Sequence, residues 1–230
     1  MAVMILDSRP VQPASLTATV LFVDLRGYTG LAEQLPAQQL VPLLSELFAM
    51  LTESVETAGG QVFYLMGDGM MAGFGTRSPA DPCAAAALAA ARSMLDHFEP
   101  MVARWRAALS IETGIGIGLH VGEVALANLG PRGRETPTLL GDTVNVSARL
   151  CSRARAGEIL FSQAVAMAIQ EGSPQALPMD GLQSCLRLPR FEVRGRAAPL
   201  DIWCLPSTER LTLEQNFSER TDLEAPLSLP

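Results

Sequence analysis

Residues 59–75 constrain the fold more than any other stretch, because they hold two short apolar runs joined by a tight turn. The runs VFYLM and MMAGF flank Gly67, Asp68 and Gly69, a pattern that predicts a β-hairpin. Such a hairpin places the Asp68 carboxylate at the end of a buried strand pair, where it needs a cation or a hydrogen-bond donor. An aspartate in a turn is common on its own, so this position becomes informative only beside a second carboxylate.

The second carboxylate is Asp24, which directly follows the apolar run TVLFV. This run is continuous and rich in β-branched residues, which indicates a central strand. If that strand lies beside the hairpin, Asp24 and Asp68 meet at one edge of the sheet. Two carboxylates with backbone carbonyls suit hard divalent cations such as Mg²⁺, and such a site suits a triphosphate.

The order of the other elements predicts an α+β fold. Apolar residues recur with a helical period over residues 36–58, and an alanine-rich helix is predicted over residues 81–109. Residues 111–130 alternate and are rich in glycine, which predicts two strands joined near residues 121–123. The resulting order β-α-β-β-α-β is that of a ferredoxin-like core.

The C-terminal part of the chain adds an αβ/ββ extension to this core. A helix is predicted over residues 142–155, followed by a strand over residues 158–161 and a short helix from Ser162. Two closing strands are predicted over residues 186–194 and 200–205.

The chain as a whole is predicted to form one catalytic domain over residues 16–206, and its 230 residues are ample for a core. Residues 1–15 are expected to be a linker or arm, and residues 207–230 a mobile tail with few aromatic residues. Whether an upstream sensor domain precedes this arm is left open.

The composition is that of an ordinary globular protein, with 48% apolar and 18% charged residues. A net charge of −7 argues against broad binding to nucleic acid or to anionic membranes. No apolar run approaches the roughly 18 residues of a transmembrane helix. The four cysteines have no CxxC spacing, so we expect reduced thiols, no zinc site and a cytoplasmic location.

Four segments together resemble the class III nucleotidyl cyclases, the adenylate and guanylate cyclase catalytic domains. In chain order they are VLFVDLRGYTGLAE, GGQVFYLMGDGMMAGF, TLLGDTVNVSARL and FEVRGRAAPLDIWCL. Four agreeing segments in the right order are far more specific than any one of them. The resemblance implies the class III cyclase fold and the conversion of a purine nucleoside triphosphate into a 3′,5′-cyclic nucleotide and pyrophosphate.

The resemblance also assigns roles to individual residues. Asp24, Asp68 and the backbone carbonyl of Leu25 would hold two Mg²⁺ or Mn²⁺ ions. Asn145 and Arg149 lie four residues apart on one predicted helix, so both project from the same face. They would orient the ribose and stabilise charge on the transferring phosphoryl group.

At the positions that contact the base and the phosphates, this sequence matches the family pattern less closely. Arg194 resembles the basic residue that contacts the terminal phosphates. Thr138 resembles the bacterial, bicarbonate-responsive adenylate cyclases, whereas Tyr64 matches neither the lysine of adenylate cyclases nor the glutamate of guanylate cyclases. Both hydroxyls can donate and accept hydrogen bonds, so neither selects one base by itself. ATP is favoured as substrate because of Thr138, and GTP is the alternative. Gly116 falls where many relatives carry a phosphate-contacting arginine.

In the family the site lies between two chains, so the resemblance implies a homodimer with two equivalent sites. One chain would contribute the metal ligands and its partner the remaining residues. A cyclase-like domain that binds a nucleotide or a partner without turnover is an alternative, favoured by Tyr64 and Gly116. A two-metal polymerase or diguanylate cyclase palm is another, and the run TVNVSAR weighs against it. His120 is expected to be a structural histidine, and the glycines beside it to permit close packing.

Overall fold

A computed structural model describes residues 14–77, 83–131, 133–172, 185–192 and 198–206. The helices are α1 (Tyr28–Gln34), α2 (Ala37–Thr57), α3 (Cys83–Leu109), α4 (Asp142–Arg153) and α5 (Gln163–Gly172). The strands are β1 (Ala14–Leu25), β2 (Gln61–Met66), β3 (Gly69–Phe74), β4 (Ile115–Leu129), β5 (Thr136–Leu140), β6 (Glu158–Ser162), β7 (Leu186–Phe191) and β8 (Leu200–Pro206).

The described strands form one sheet in the order β2-β3-β1-β4-β6-β8-β7, and β5 pairs with β4 outside this path. Neighbouring strands are antiparallel, except that β4 and β6 run parallel. The elements β1, α2, β2, β3, α3 and β4 therefore form the expected split unit, with β1 between β3 and β4. The predicted α+β fold with its C-terminal extension is confirmed.

Helices α2, α3 and α5 cover one face of the sheet, where their apolar side chains join those of β1, β3 and β4 in the largest core cluster. Helix α4 and strand β5 cover the other face. Val146 and Leu150 of α4 pack on Leu160 and Ile202, while Leu139 of β5 closes a smaller cluster nearby. Strand β1 is thus an interior strand of the sheet, with a layer packed on each of its faces.

The end of α2 follows the predicted glycine signal. Gly59 has a φ of 79°, in the left-handed region that glycine adopts without strain. The N–H groups of Gly59 and Gly60 donate to the carbonyls of Glu56 and Val55 at 2.9 Å each. A side chain at Gly60 would overlap the ring of Phe74, so this cap also lets β2 begin close to the core.

Helix α4 lies directly on β4 because two strand residues lack side chains. A Cβ at Gly118 would lie 2.8 Å from the Cα of Cys151, and one at Gly122 would lie 2.7 Å from the Oγ1 of Thr143. The hydroxyl of Ser147 adds a hydrogen bond of 3.0 Å to the carbonyl of Val20 on β1. At these two positions the helix therefore approaches the backbone of β4 closely, with no strand side chain between them.

Three local predictions were wrong. Residues 115–129 form the single strand β4 rather than two strands joined near residue 122. Strand β5 and the short helix α1 were not predicted, because each is too short to show a clear period. Strand β7 ends at Phe191, earlier than predicted, and Arg194 falls in residues 193–197, outside the described part.

The first described strand begins slightly before the expected start of the catalytic domain. Strand β1 begins at Ala14, two residues before the expected start of the catalytic domain, and pairs with β4 from that point. The rest of the predicted arm, and the predicted tail over residues 207–230, lie outside the described residues. None of the helices in the described part combines the length and apolar character needed to cross a bilayer.

Candidate active site

Strand register brings the two predicted metal-binding aspartates together. Asp24, near the end of β1, pairs with Gly69 at the start of β3, so Asp68 in the adjoining turn lies beside it. The N–H of Leu25 donates to the carbonyl of Asp68 at 3.3 Å, which holds the two segments together. A Cβ at Gly69 would lie 3.2 Å from the Oδ1 of Asp24, so the glycine leaves room for that carboxylate.

The environment of Asp68 disfavours its negative charge. Burial first, and the neighbouring charge of Asp24 second, together raise the pKa of Asp68 from 3.8 to about 6. Without a cation, the carboxyl group therefore takes up a proton as the pH falls through about 6. A divalent cation would compete with that proton, because it removes the repulsion between the two carboxylates.

The donor set fits hard divalent cations such as Mg²⁺ or Mn²⁺. Asp24 and Asp68 supply carboxylate oxygens, and the backbone of Leu25, at the end of β1, is hydrogen-bonded to that of Asp68. No group of three or more Asp, Glu, His or Cys side chains that could hold a metal occurs among the described residues. Further ligands would therefore be backbone carbonyls, water and phosphate oxygens, which is how proteins commonly hold Mg²⁺ beside a nucleotide.

The predicted transition-state residues lie on α4. The buried face of this helix carries Thr143, Ser147 and Cys151, and it lies on β4 and β1. Asn145 is exposed and Arg149 is half-buried. Asn145 thus projects away from the sheet that carries the aspartates of the same chain.

The predicted base-contacting residues lie on two strands that run close together. Tyr64 is on β2 and 51% exposed, directly after the buried Phe63. Thr138 is on β5, opposite Ala127 of β4, and β5 lies against β2. Leu139, beside Thr138, packs with Phe63 in the same cluster. The fold therefore brings the strands of Tyr64 and Thr138 together, although their sequence positions are far apart.

His120 has the structural role that was expected of it. Its ring is buried, and Nδ1 lies 2.6 Å from the hydroxyl of Ser162, the last residue of β6. This contact joins β4 to the end of β6, within the sheet and away from the paired aspartates.

Arg26 is a residue of this site that the sequence analysis did not single out. Its Nη1 donates to the Oδ2 of Asp24 at 2.9 Å, forming an ion pair beside the two carboxylates. In the sequence, Arg26 was indicated only indirectly, by a glycine at position 116 where many relatives carry an arginine. In the structure, Gly116 pairs with Asp24 across β1 and β4. A loop arginine and a distant strand glycine cannot be connected without the register between their strands.

Comparisons with known proteins agree with this geometry. The family model of the adenylate and guanylate cyclase catalytic domain matches residues 11–199. An uncharacterized protein of Mycobacterium tuberculosis is 35% identical over 138 residues, which cover 60% of this chain and 24% of that protein. A second from the same organism is 35% identical over 156 residues, covering 66% and 27%. The chain thus spans about a quarter of the length of the curated relatives it matches.

Solved structures show the same fold. The adenylyl cyclase CyaB from P. aeruginosa matches with a TM-score of 0.77 and 28% identity, over 87% of this chain and 98% of that chain. The guanylyl cyclase Cya2 matches with a TM-score of 0.73 and 25% identity, over 85% and 94%. With the family match over most of its length, this chain belongs to the adenylate and guanylate cyclase catalytic domains, the class III nucleotidyl cyclases.

Proposed function

We propose that this chain converts ATP into 3′,5′-cyclic AMP and pyrophosphate at a site shared between two copies of the chain. The observation that carries the proposal is that Asp24 and Asp68 lie side by side at one end of β1, where burial and mutual repulsion raise the pKa of Asp68 and a divalent cation would offset that repulsion. Family membership supports a cyclase reaction, and Asn145 and Arg149 are both present on α4.

In the proposed mechanism, Asp24, Asp68 and the carbonyl of Leu25 would hold two Mg²⁺ or Mn²⁺ ions. Bound there, such ions would supply the positive charge that lowers the pKa of the ribose 3′-hydroxyl and stabilises the leaving pyrophosphate. Asn145 orients the ribose through its amide, and Arg149 donates to the phosphoryl oxygens as their charge increases. Arg194, outside the described residues, is proposed to contact the terminal phosphates.

A homodimer is proposed because the family resemblance implies a site that lies between two chains. The exposure of Asn145 on α4, whose buried residues face the sheet, supports that arrangement. Apolar side chains exposed on β2 and on the β4–β5 pair support such a contact: Tyr64, Leu65, Met66, Leu129 and Leu140. Large exposed apolar residues grouped on neighbouring strands are typical of interaction surfaces.

The catalytic domain is proposed to span residues 16–206, in a reducing compartment such as the cytoplasm. The buried thiols of Cys151, Cys185 and Cys204 support that compartment, since none of them is placed to form a structural disulfide in the described residues.

The proposed reaction is tested by supplying ATP and GTP separately with Mg²⁺ or Mn²⁺ and identifying the products by chromatography. We expect cyclic AMP to form faster than cyclic GMP. If Mn²⁺ and ATP bind but neither nucleotide is cyclised, the chain is a cyclase-like binding domain without turnover. A clear excess of cyclic GMP would contradict the choice of ATP.

The preference for ATP is expected to be softer than in enzymes with a lysine at position 64, because rotatable hydroxyls at Tyr64 and Thr138 suit both bases. Tyr64→Lys should sharpen the preference for ATP, and Tyr64→Glu with Thr138→Cys should shift it towards GTP. A buried polar mismatch of about 1–3 kcal/mol corresponds to a change of roughly 5- to 150-fold in the ratio of kcat/KM values. Competition kinetics with both nucleotides measures this ratio.

Tyr64→Phe is the matched control, because it removes only the hydroxyl. If the ratio is the same in all of these variants, Tyr64 does not contact the base.

A further inference from the structure

The Arg26 side chain is held against the paired aspartates from two sides. Nη1 donates to the Oδ2 of Asp24 at 2.9 Å, and Nη2 donates to the carbonyl of Cys151 on α4 at 2.5 Å. The side chain of Arg26 is 22% exposed and that of Asp24 is 40% exposed, so the ion pair is partly shielded from water. The bond to the backbone of α4 keeps the guanidinium in place even when Asp24 has another partner.

Gly116 makes the space that this guanidinium occupies. It pairs with Asp24 across β1 and β4, and a Cβ there would lie 2.5 Å from the Nε and 2.7 Å from the Cζ of Arg26. Any side chain at position 116 would therefore have to displace the guanidinium. The glycine in β4 and the arginine after β1 together place a positive charge beside the two carboxylates.

Within the described part of the chain, the guanidinium keeps hydrogen-bonding capacity that no protein group uses. Nε of Arg26 is buried and has no hydrogen-bond partner among the described residues. A guanidinium has five N–H donors, and the contacts to Asp24 and Cys151 leave further donors available. A partly buried charge with spare donors is costly for folding alone, which favours a role with an anionic ligand.

We propose that Arg26, reaching across Gly116, is a phosphate-binding residue of this site. It supplies a fixed positive charge to the polyphosphate chain of the nucleotide, in a protein whose net charge is −7. A planar guanidinium suits phosphate oxygens better than an ammonium group does. The same positive charge opposes a bare divalent cation at Asp24 and Asp68. The inference rests on the proposed function, because it places the triphosphate at this pair of aspartates.

The positive charge of Arg26 should strengthen the binding of a polyphosphate and weaken the binding of a bare divalent cation. These opposite effects can be measured without turnover. Arg26→Met keeps most of the apolar stem but removes the charge. We expect this variant to bind Mn²⁺ alone a few-fold more tightly and inorganic tripolyphosphate with Mn²⁺ about ten- to a hundredfold more weakly. The electron paramagnetic resonance signal of free Mn²⁺ measures the affinity for Mn²⁺ alone. Calorimetry measures the affinity for tripolyphosphate in the presence of Mn²⁺.

Matched variants separate this effect from general damage. Arg104→Met removes an arginine whose ion pair with Glu46 joins α2 to α3, and it should leave both affinities unchanged. Arg26→Lys should retain an intermediate affinity for tripolyphosphate. Gly116→Ala should weaken tripolyphosphate binding because its methyl group displaces the guanidinium, while circular dichroism reports that the fold is kept.

Two results would overturn the inference. In one, Arg26→Met binds Mn²⁺ more weakly and tripolyphosphate normally, which would mean that Arg26 only orients Asp24. In the other, Gly116→Ala binds tripolyphosphate as the unaltered chain does. Cyclase activity of the unaltered chain, measured in parallel, keeps the outcomes distinct, because binding of tripolyphosphate does not require cyclisation.

Discussion

Asp24→Asn and Asp68→Asn are each expected to lower the rate of cyclic nucleotide formation by about a thousandfold or more. The two carboxylates are adjacent, so one that remains cannot hold two ions in position. Metal ions contribute several kcal/mol to the stabilisation of such a transition state, which corresponds to a loss of this size. Initial rates at saturating ATP, with Mg²⁺ and Mn²⁺ in turn, measure the effect.

Asn is chosen because it keeps the shape of the side chain and removes the charge. The Asp68→Asn variant should unfold at a temperature no lower than the unaltered chain at pH 7.5, since burial and the charge of Asp24 both disfavour the ionised form of Asp68. Asp96→Asn, at an exposed position on α3, is the control and should keep full activity. Near-normal activity in either of the first two variants would show that the metal ligands lie elsewhere.

Two inactive variants are expected to restore activity to one another when they are mixed. A chain with Asp24→Asn lacks one half of the proposed site, and a chain with Arg149→Ala lacks the other. If subunits exchange freely at equal concentrations, half of the dimers contain both chains, and each of these has one intact site. Activity should therefore recover to about one quarter of the unaltered level, as expected for a symmetric two-site dimer.

The control mixture is Asn145→Ala with Arg149→Ala. Both changes lie on α4 and damage the same half of the site, so no exchange of subunits can produce an intact one. Recovery in this mixture, or no recovery in the first mixture when mass spectrometry shows mixed dimers, would contradict a site shared between chains.

The fold could be predicted where the sequence pattern is local and strong. The run before Asp24 and the turn around Asp68 showed a buried strand and a hairpin, and their register in the sheet agrees with that interpretation. The glycine at position 122 was misleading, because it resembles a turn signal but serves the close approach of Thr143 on α4. A glycine that is needed for packing and one that is needed for a turn have the same letter in the sequence.

The site could be predicted only as a set of residues, not as an arrangement. Asp24 and Asp68 follow strand-end patterns, and these are short-range features of the chain. Arg26 contacts Cys151, a residue 125 positions away, and depends on the absence of a side chain at Gly116. Such contacts depend on the register between β1 and β4 and on the position of α4 on the sheet. No local sequence pattern predicts either of these.

The glycine contact between α4 and β4 also limits how a cyclase of this kind can be regulated. Side chains can change rotamers to let a helix slide, but Gly118 presents only backbone to the backbone at Cys151. Helix α4 and the central sheet are therefore expected to move as one rigid body. If the site is shared as proposed, a signal cannot switch it by shifting Arg149 within its own chain. A regulatory signal would instead rotate or separate whole subunits. Distances between subunits, rather than distances within one subunit, would then distinguish the active from the inactive state.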